Sequence, residues 1–547
     1  MLIFIFIFFL KGFSSTSNEV KKIVQIVHAD IIRNNNNHDQ TFVLIGNVHL
    51  KYDKYHLFCD KVIYNKKNNK YYGYGNVRLE SKKTKIVSKN ITGNFFDFQL
   101  SGKVILYQKK IKLTAEIINY NFQKKSLQAI NNVVLFFDKT KLTTNILEYN
   151  FILNQIFLQK NSIIYYGNYT IYSKKGFFYF NKKKIELKHE IKLISKNYTA
   201  YANTLEYLLE QNQVNFRDTV IIVQNTNLNN FIYAKKALFS FNKKIFLFKN
   251  YVSIYYNGKI VRGEYLFFDH KKKYGFIKNV LFEDSKRKYF LMSGHGKFDF
   301  HSGSLIFEKN PKIIKILKKN NSVFIYSNIL KINIKKDYTY SIQAFSVKSF
   351  LLNESIQGKC DSFNYESSND YVQFDGNPIF WFQNKQITGK IIYIHFEKEN
   401  NDILKYIKIV KNAFYIEKIN SKEFNHIEGD IMTGFFNKEN ILEKIIIKEN
   451  INSIIFFNKI INKLSCGVLS IDLDKLNKIK KISCIGEAYS ELIPIHKKSP
   501  KELLYFHKFW KEKDKPKNDK KLFIYKEINK YKKESLLEKK QIKIMVK

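Results

Sequence analysis

Few residues in this chain are spaced for chemistry, and where one stands ready its partner is missing. His189-Glu190 begins like the zinc-hydrolase motif, in which two histidines four apart hold the metal and the glutamate serves as base. Leu193 occupies the position of the second histidine, so the match is chance. Gly294-His295-Gly296 places a lone imidazole in a repeat position, which reads as a turn histidine rather than a metal ligand. Acids of the Asp60 type recur once per repeat at one strand position. Such recurrence marks a structural role, whereas catalytic carboxylates work as a pair about one substrate bond. No Gly-x-Ser-x-Gly elbow and no glycine-rich phosphate loop is present. The four cysteines, Cys59, Cys360, Cys466 and Cys484, form no CxxC. Cys59 and Cys360 fill a small-residue slot, and Cys466 and Cys484 are a pair that an oxidising compartment would allow to bond. No enzyme, metal or cofactor is expected.

What does recur is a six-residue pattern: small, acid or amide, any, apolar, any, aromatic. It appears as Cys59-Asp60-Lys61-Val62-Ile63-Tyr64, and again ending at Tyr120, Tyr149, Tyr207 and Tyr365. Looser copies end at Phe98, Phe180, Phe241, Phe268 and Phe300. From Tyr64 to Phe300 the closing aromatics lie 22 to 34 residues apart, the spacing of a stacked repeat. A second half-repeat reads Gly46-Asn47-Val48-His49-Leu50, Gly75-Asn76-Val77-Arg78-Leu79 and Gly102-Lys103-Val104-Ile105-Leu106. Weaker forms include Asn131-Asn132-Val133, Asp218-Thr219-Val220, Asn250-Tyr251-Val252 and Gly376-Asn377-Pro378. Gly-Asn supplies positive φ, so each copy reads as a turn followed by a strand with alternate residues on one apolar face. No unit can bury that face alone.

The composition agrees with strands. Of 547 residues 16% are aromatic and only five are proline. The net charge of +45 invites a nucleic-acid reading, but five of the 93 basic residues are arginine, and base-edge recognition leans on arginine forks. Lysines such as Lys66-Lys67 and Lys182-Lys183-Lys184 read as solvated turns. The apolar run Leu2–Leu10 is too short to span a bilayer, which takes ~20 residues, and fits the core of an export signal over residues 1–17.

With the repeat laid out, the chain resembles the OstA-like (organic solvent tolerance) family of lipopolysaccharide-transport periplasmic proteins. The resemblance rests on the Gly-Asn-Val copies at 46–48 and 75–77 with Cys59-Asp60 to Tyr64 between them. Later segments resemble the long Bacteroidota form: Gly376 to Trp381, Gln386 to Lys390, Gly429 to Phe436, and Phe506 to Pro516 with Trp510. It implies an all-β, extended twisted β-jellyroll of two facing antiparallel sheets with an apolar interior. It further implies a non-enzymatic, exported carrier or bridge that moves lipopolysaccharide to the outer membrane, acyl chains inside and sugars in water. The expected order is residues 1–17 signal peptide, 18–175 OstA-like jellyroll, 176–345 continuing repeats, 346–495 a second OstA-like region, and 496–547 a Lys-rich, solvated tail.

The expected groove lining is Val48, Leu50, Val62, Tyr64, Val77, Leu79, Val104 and Leu106. Expected partners are lipopolysaccharide or another acylated glycolipid, and neighbouring jellyrolls added at open strand edges near Lys22–Ile32 and near Cys484. A structural or adhesive envelope repeat with a packed core and no lipid is the alternative. A nucleic-acid binder survives only through the charge.

Overall fold

A computed structural model describes residues 24–544, apart from short stretches of which the longest are 496–507 and 517–528. The expected signal segment, residues 1–17, lies outside the described residues. Among these residues 41 strands join one antiparallel sheet. The first are β1 (Gln25–His28), β2 (Ile31–Asn35), β3 (Thr41–Tyr52), β4 (Tyr55–Asn65), β5 (Lys70–Ser81) and β6 (Thr84–Gly93). They are followed by β7 (Asp97–Gln108), β8 (Ile111–Asn121), β9 (Ser126–Phe137), β10 (Thr140–Asn150), β11 (Gln155–Leu158) and β12 (Ser162–Tyr166). From β3 to β10 each strand pairs with the next in hairpin succession.

Gly46-Asn47 and Gly75-Asn76 do not end strands; they sit in the middle of them, whereas Gly376-Asn377 lies between the strands Tyr371–Asp375 and Ile379–Phe382. Gly46 and Asn47 have φ of 77° and 46° and are passed over between the pairs Ile45–Lys61 and Val48–Cys59. Gly75-Asn76 does the same within β5 and Gly102-Lys103 within β7. Each is a β-bulge, an extra residue that bends its strand. At these copies the expectation of a turn before the strand is corrected: the positive φ is there, but it serves a crease within one strand; at Asp218-Thr219 and Gly376-Asn377 a break does precede the strand. His189-Glu190 is a further copy, with φ of 63° and 49°, passed over between Lys188 and Ile191. His295 likewise lies within a strand, Tyr289–Asp299, and not in a turn.

The crease divides each long strand between two walls. Wall A holds the residues after the bulge in β3, β5, β7 and β9, with their partners before Cys59, Ser88, Ala115 and Thr144. Wall B holds the other halves. The small slot faces the bulge of the neighbouring strand, and its Cys, Ser, Ala or Thr is buried at the crease. The residue after it closes the crease. Asp60 accepts a hydrogen bond from Asn76 Nδ2 at 3.0 Å, Asp30 from Asn47 Nδ2 at 3.0 Å, and Asp430 from Asn450 Nδ2 at 2.6 Å. Each half-repeat thus holds the other.

The closing aromatic anchors the reversals at the end of wall B. Tyr64 donates to Asn69 Oδ1 at 2.8 Å, Tyr149 to Asn154 at 2.7 Å and Tyr207 to Asn212 at 2.6 Å. All three asparagines have positive φ. An Asn five residues after the closing Tyr is legible in the sequence and identifies this contact.

By contact density the chain forms two units, residues 1–250 with 542–547, and 251–541. In the second unit the described C-terminal residues 508–516 and 533–541 pack against the sheet, unlike a solvated tail. Gln386 Nε2 donates to the Phe509 carbonyl at 2.9 Å and its Oε1 accepts from the Lys511 amide at 2.9 Å. Trp510 lies against Phe424, and Phe509 against Phe414. Lys359 pairs with Asp514 at 2.9 Å and Lys418 with Glu512 at 3.0 Å. Within residues 533–544, which are helical, Glu538 is buried and accepts from Ser253 at 2.8 Å and Tyr255 at 2.6 Å. Gln386, Phe414 and Phe424 of the sheet, apolar or hydrogen-bonding, provide the physical reason for docking. Cys466 and Cys484 are disulfide-bonded, with Cα atoms 5.9 Å apart, while Cys59 and Cys360 are buried and unbonded to one another.

Candidate apolar groove

In the first unit the inner rows of the two walls face one another. Cross-strand pairing aligns Leu50, Leu57, Leu79, Ile86, Leu106 and Leu113 along wall A. On wall B it aligns Leu100 with Ile118 and Ala129, and, nearer the rim, Phe98 with Tyr120 and Leu127. Burial by the hydrophobic effect holds these rows inward, at roughly 25 cal/mol per Å² of apolar surface removed from water.

Between β5 and β11 the walls stand apart around a cavity of about 130 Å³. By the same measure one water needs only about 10–15 Å³, so the space is several times that of a single water. Leu79, Ile86, Leu106, Leu113 and Leu135 line it from wall A; Ile118, Leu127, Leu147 and Ile156 line it from wall B. Its rim is two-sided. Asp53, Glu80, Ser81, Thr84 and Gln108 border wall A, and Phe96, Phe98, Tyr120, Tyr149 and Phe151 border wall B. Glu80 is held by Arg78 at 3.1 Å and Lys85 at 3.3 Å. Tyr52 meets Phe96 edge to face at 5.7 Å across the mouth. Burial pushes the Tyr120 hydroxyl up to about 12, and that of Tyr149 higher, so both remain neutral donors. The site offers an apolar interior and a rim with a polar side, which suits an amphiphile and supplies no nucleophile or metal cage. Among the described residues no group of three or more His, Cys, Asp or Glu is arranged to hold a metal ion.

The eight expected lining residues separate into three places. Leu79 and Leu106, each 7% exposed, border the cavity. Val48, Val77 and Val104, all 0% exposed, pack at the crease opposite the small slots. Leu50 and Val62 are buried in the inner rows, and Tyr64 anchors its turn through Asn69. The lining expected from the sequence omits the wall B aromatics and Ile118, Leu127 and Leu147. A signal for them exists: they are the apolar and aromatic positions of the six-residue pattern and of the residues preceding each bulge. Cys59 is not a reactive group, since burial raises its thiol to about 12.

Along Tyr340–Leu352 and Ile356–Glu366 in the second unit the interior is different. Phe350, Phe363, Phe374 and Phe380 meet there with ring centres 4.8 to 6.5 Å apart, and the two walls are in direct aromatic contact.

Residues 21–127 and 110–203 match the family model described as OstA-like protein. A search of curated proteins returned no match. Among solved structures the chain is similar to LptH of Pseudomonas aeruginosa, the LptA-homologous periplasmic component of a lipopolysaccharide transport device. The likeness is 13% identity and a TM-score of 0.20, over 25% of this chain and 95% of that one. Among the described residues no helix is long and apolar enough to cross a membrane. The creased sheet that begins at β1, with its bulges and small slots in register, lies within the stretch 21–203 that matches the OstA-like family model.

Proposed function

We propose that this protein is a periplasmic carrier or bridge for lipopolysaccharide or a related acylated glycolipid, holding acyl chains between walls A and B of its first unit. The observation that carries the reading is the apolar cavity between Leu79, Leu106, Ile118 and Leu147 in an OstA-like region. Each buried methylene contributes ~0.8 kcal/mol, so a few acyl chains offset removal from a bilayer without catalysis. The rim residues Ser81, Thr84 and Gln108 lie where a polar head group would emerge. Neighbouring jellyrolls add at the sheet ends. β1 and β2 pair with β3 and expose Ile26, Val27, Ile31 and Ile32; at the other end Ile485, Tyr489 and Leu492 are exposed.

Photo-reactive residues at Leu79 and Leu106, with crease positions Val77 and Val104 as controls, test this reading in cells. The expected result is lipid crosslinked at Leu79 and Leu106 and displaced by lipid A. Equal yields at all four positions, or none, overturn it.

A structural envelope role without lipid has one observation in its favour, the phenylalanine cluster around Phe350 and Phe374. It applies to the second unit, where the walls are already in contact.

A further inference from the structure

We propose that the outer face of wall A between β6 and β12 is a docking strip for an acidic, extended polypeptide segment of a partner protein. Cross-strand register places Lys85, Tyr107, Lys112, Phe136, Lys141 and Tyr165 in one row, cation and ring alternating. The three rings are 42%, 41% and 40% exposed. Lys112 Nζ lies 5.6 Å from the Tyr107 ring centre, and Lys141 Nζ 5.8 and 5.6 Å from those of Phe136 and Tyr165. The next row on this face alternates Ile105, Val134 and Ile163 with Thr114 and Thr143 and is half-buried. Among the described residues neither Lys112 nor Lys141 is paired with a carboxylate, although Lys85 reaches Glu80.

The second unit shows how this fold covers the same face. There the corresponding register runs Phe290, Ile314, Phe324, Leu351, Gln357, Trp381 and Gln386, and all but the half-buried Gln357 are buried. The segment seated at its Gln386 end is the chain's own, and it brings aromatic residues, Phe509 and Trp510, with acids, Glu512 and Asp514, set against sheet lysines. The bare strip offers the complementary half of that interface: lysines, rings and a half-buried margin. A second copy's C-terminal segment is disfavoured as occupant because its residues Phe509 to Asp514 are already seated on their own chain. A lipid head group emerging at the cavity mouth lies on the other side of wall A. Lys112 and Lys141 stand two strands apart, roughly 10 Å. An extended polyproline-type segment repeats its face every three residues, roughly 9 Å, so its acids should fall at every third position.

The inference is independent of lipid in the groove. Its test is fluorescence anisotropy of the full chain with a short labelled peptide bearing Glu at every third position between Pro and Leu. A Gln-for-Glu peptide, a sulfated polysaccharide and phosphatidylglycerol vesicles are the comparison probes. The Glu peptide should bind, the Gln peptide should not, and Lys112→Glu with Lys141→Glu should weaken binding at least about tenfold. The Arg pair at the same positions should retain it, and Phe136→Ala should weaken it with the melting profile unchanged. Equal binding of the two peptides, indifference to the charge reversal, or binding of polysaccharide or vesicles in place of the Glu peptide overturns the proposal.

Discussion

Between β5 and β11 the walls part around a cavity and the outer face of wall A is bare; around Phe350 the walls touch through four phenylalanines and the corresponding outer row is buried. Both regions share the crease, the positive-φ pair and the buried small slot, as Gly75-Asn76 with Cys59 and Gly376-Asn377 with Cys360 demonstrate. The backbone repeat therefore does not decide whether the interior is open. Side-chain volume at the inner rows does, because large rings from both walls occupy the space that leucines leave. Outside, the row is lysine and exposed ring in the first region and buried Phe324 and Leu351 in the second.

The largest expected effect breaks the packed interior. Phe374→Ala removes a fully buried ring and should destabilise the second unit by about 3–5 kcal/mol, seen as a lowered transition in a thermal melt. If lipid probes then enter the second unit, ring volume alone had excluded them. Next is the clasp at Glu538. Glu538→Ala takes the shared acceptor from Ser253 and Tyr255 and removes countercharge from the buried Arg262. Breaking a buried charge network in this way costs about 3–5 kcal/mol. Detachment of 533–544, read as new proteolysis there, would cap the loss below that figure.

Acid should loosen the sheet beside Gln386, where His426 lies across Ile416 from it and against Phe414. Burial lowers His426 from its ordinary 6.5 to about 4. An unfolded or detached state takes up the proton first. The stabilisation is complete above pH 6.5 and is lost as pH falls towards 4, by about 3 kcal/mol at most. Hydrogen exchange near Trp381 and Phe424 should rise across that window while exchange in β5–β10 stays level. Gly75→Ala tests the crease in the open region. Its φ is 73° and an added Cβ would overlap Asp60 Oδ2, so a loss of about 1–3 kcal/mol is expected. Smallest is Cys59→Ala, in a slot that Ala115 already fills, with a cost under about 1.5 kcal/mol in a denaturant midpoint.

The residue pattern by itself determined the all-β class, the repeat, the apolar faces and the absence of a second metal-binding partner for His189, because alternation and positive-φ residues are local properties of the chain. It also carried the Tyr64–Asn69 anchor, legible as a fixed offset of five, whereas the crease pairs of the Asp60–Asn76 kind span 16, 17 and 20 residues. Only the tertiary structure decided that Gly75-Asn76 creases a strand instead of ending it, since turn and bulge demand the same φ and differ in what the next strand does. It likewise decided that Leu79 and Leu106 border a cavity while Val77 and Val104 fill the crease. All four are apolar residues at equivalent alternation, and the difference lies in their distance from the bend, which long-range pairing sets. The docked segment around Trp510 and Glu538 was hidden for the same reason: its contacts join residues more than 90 positions apart, and no local signal encodes such a meeting.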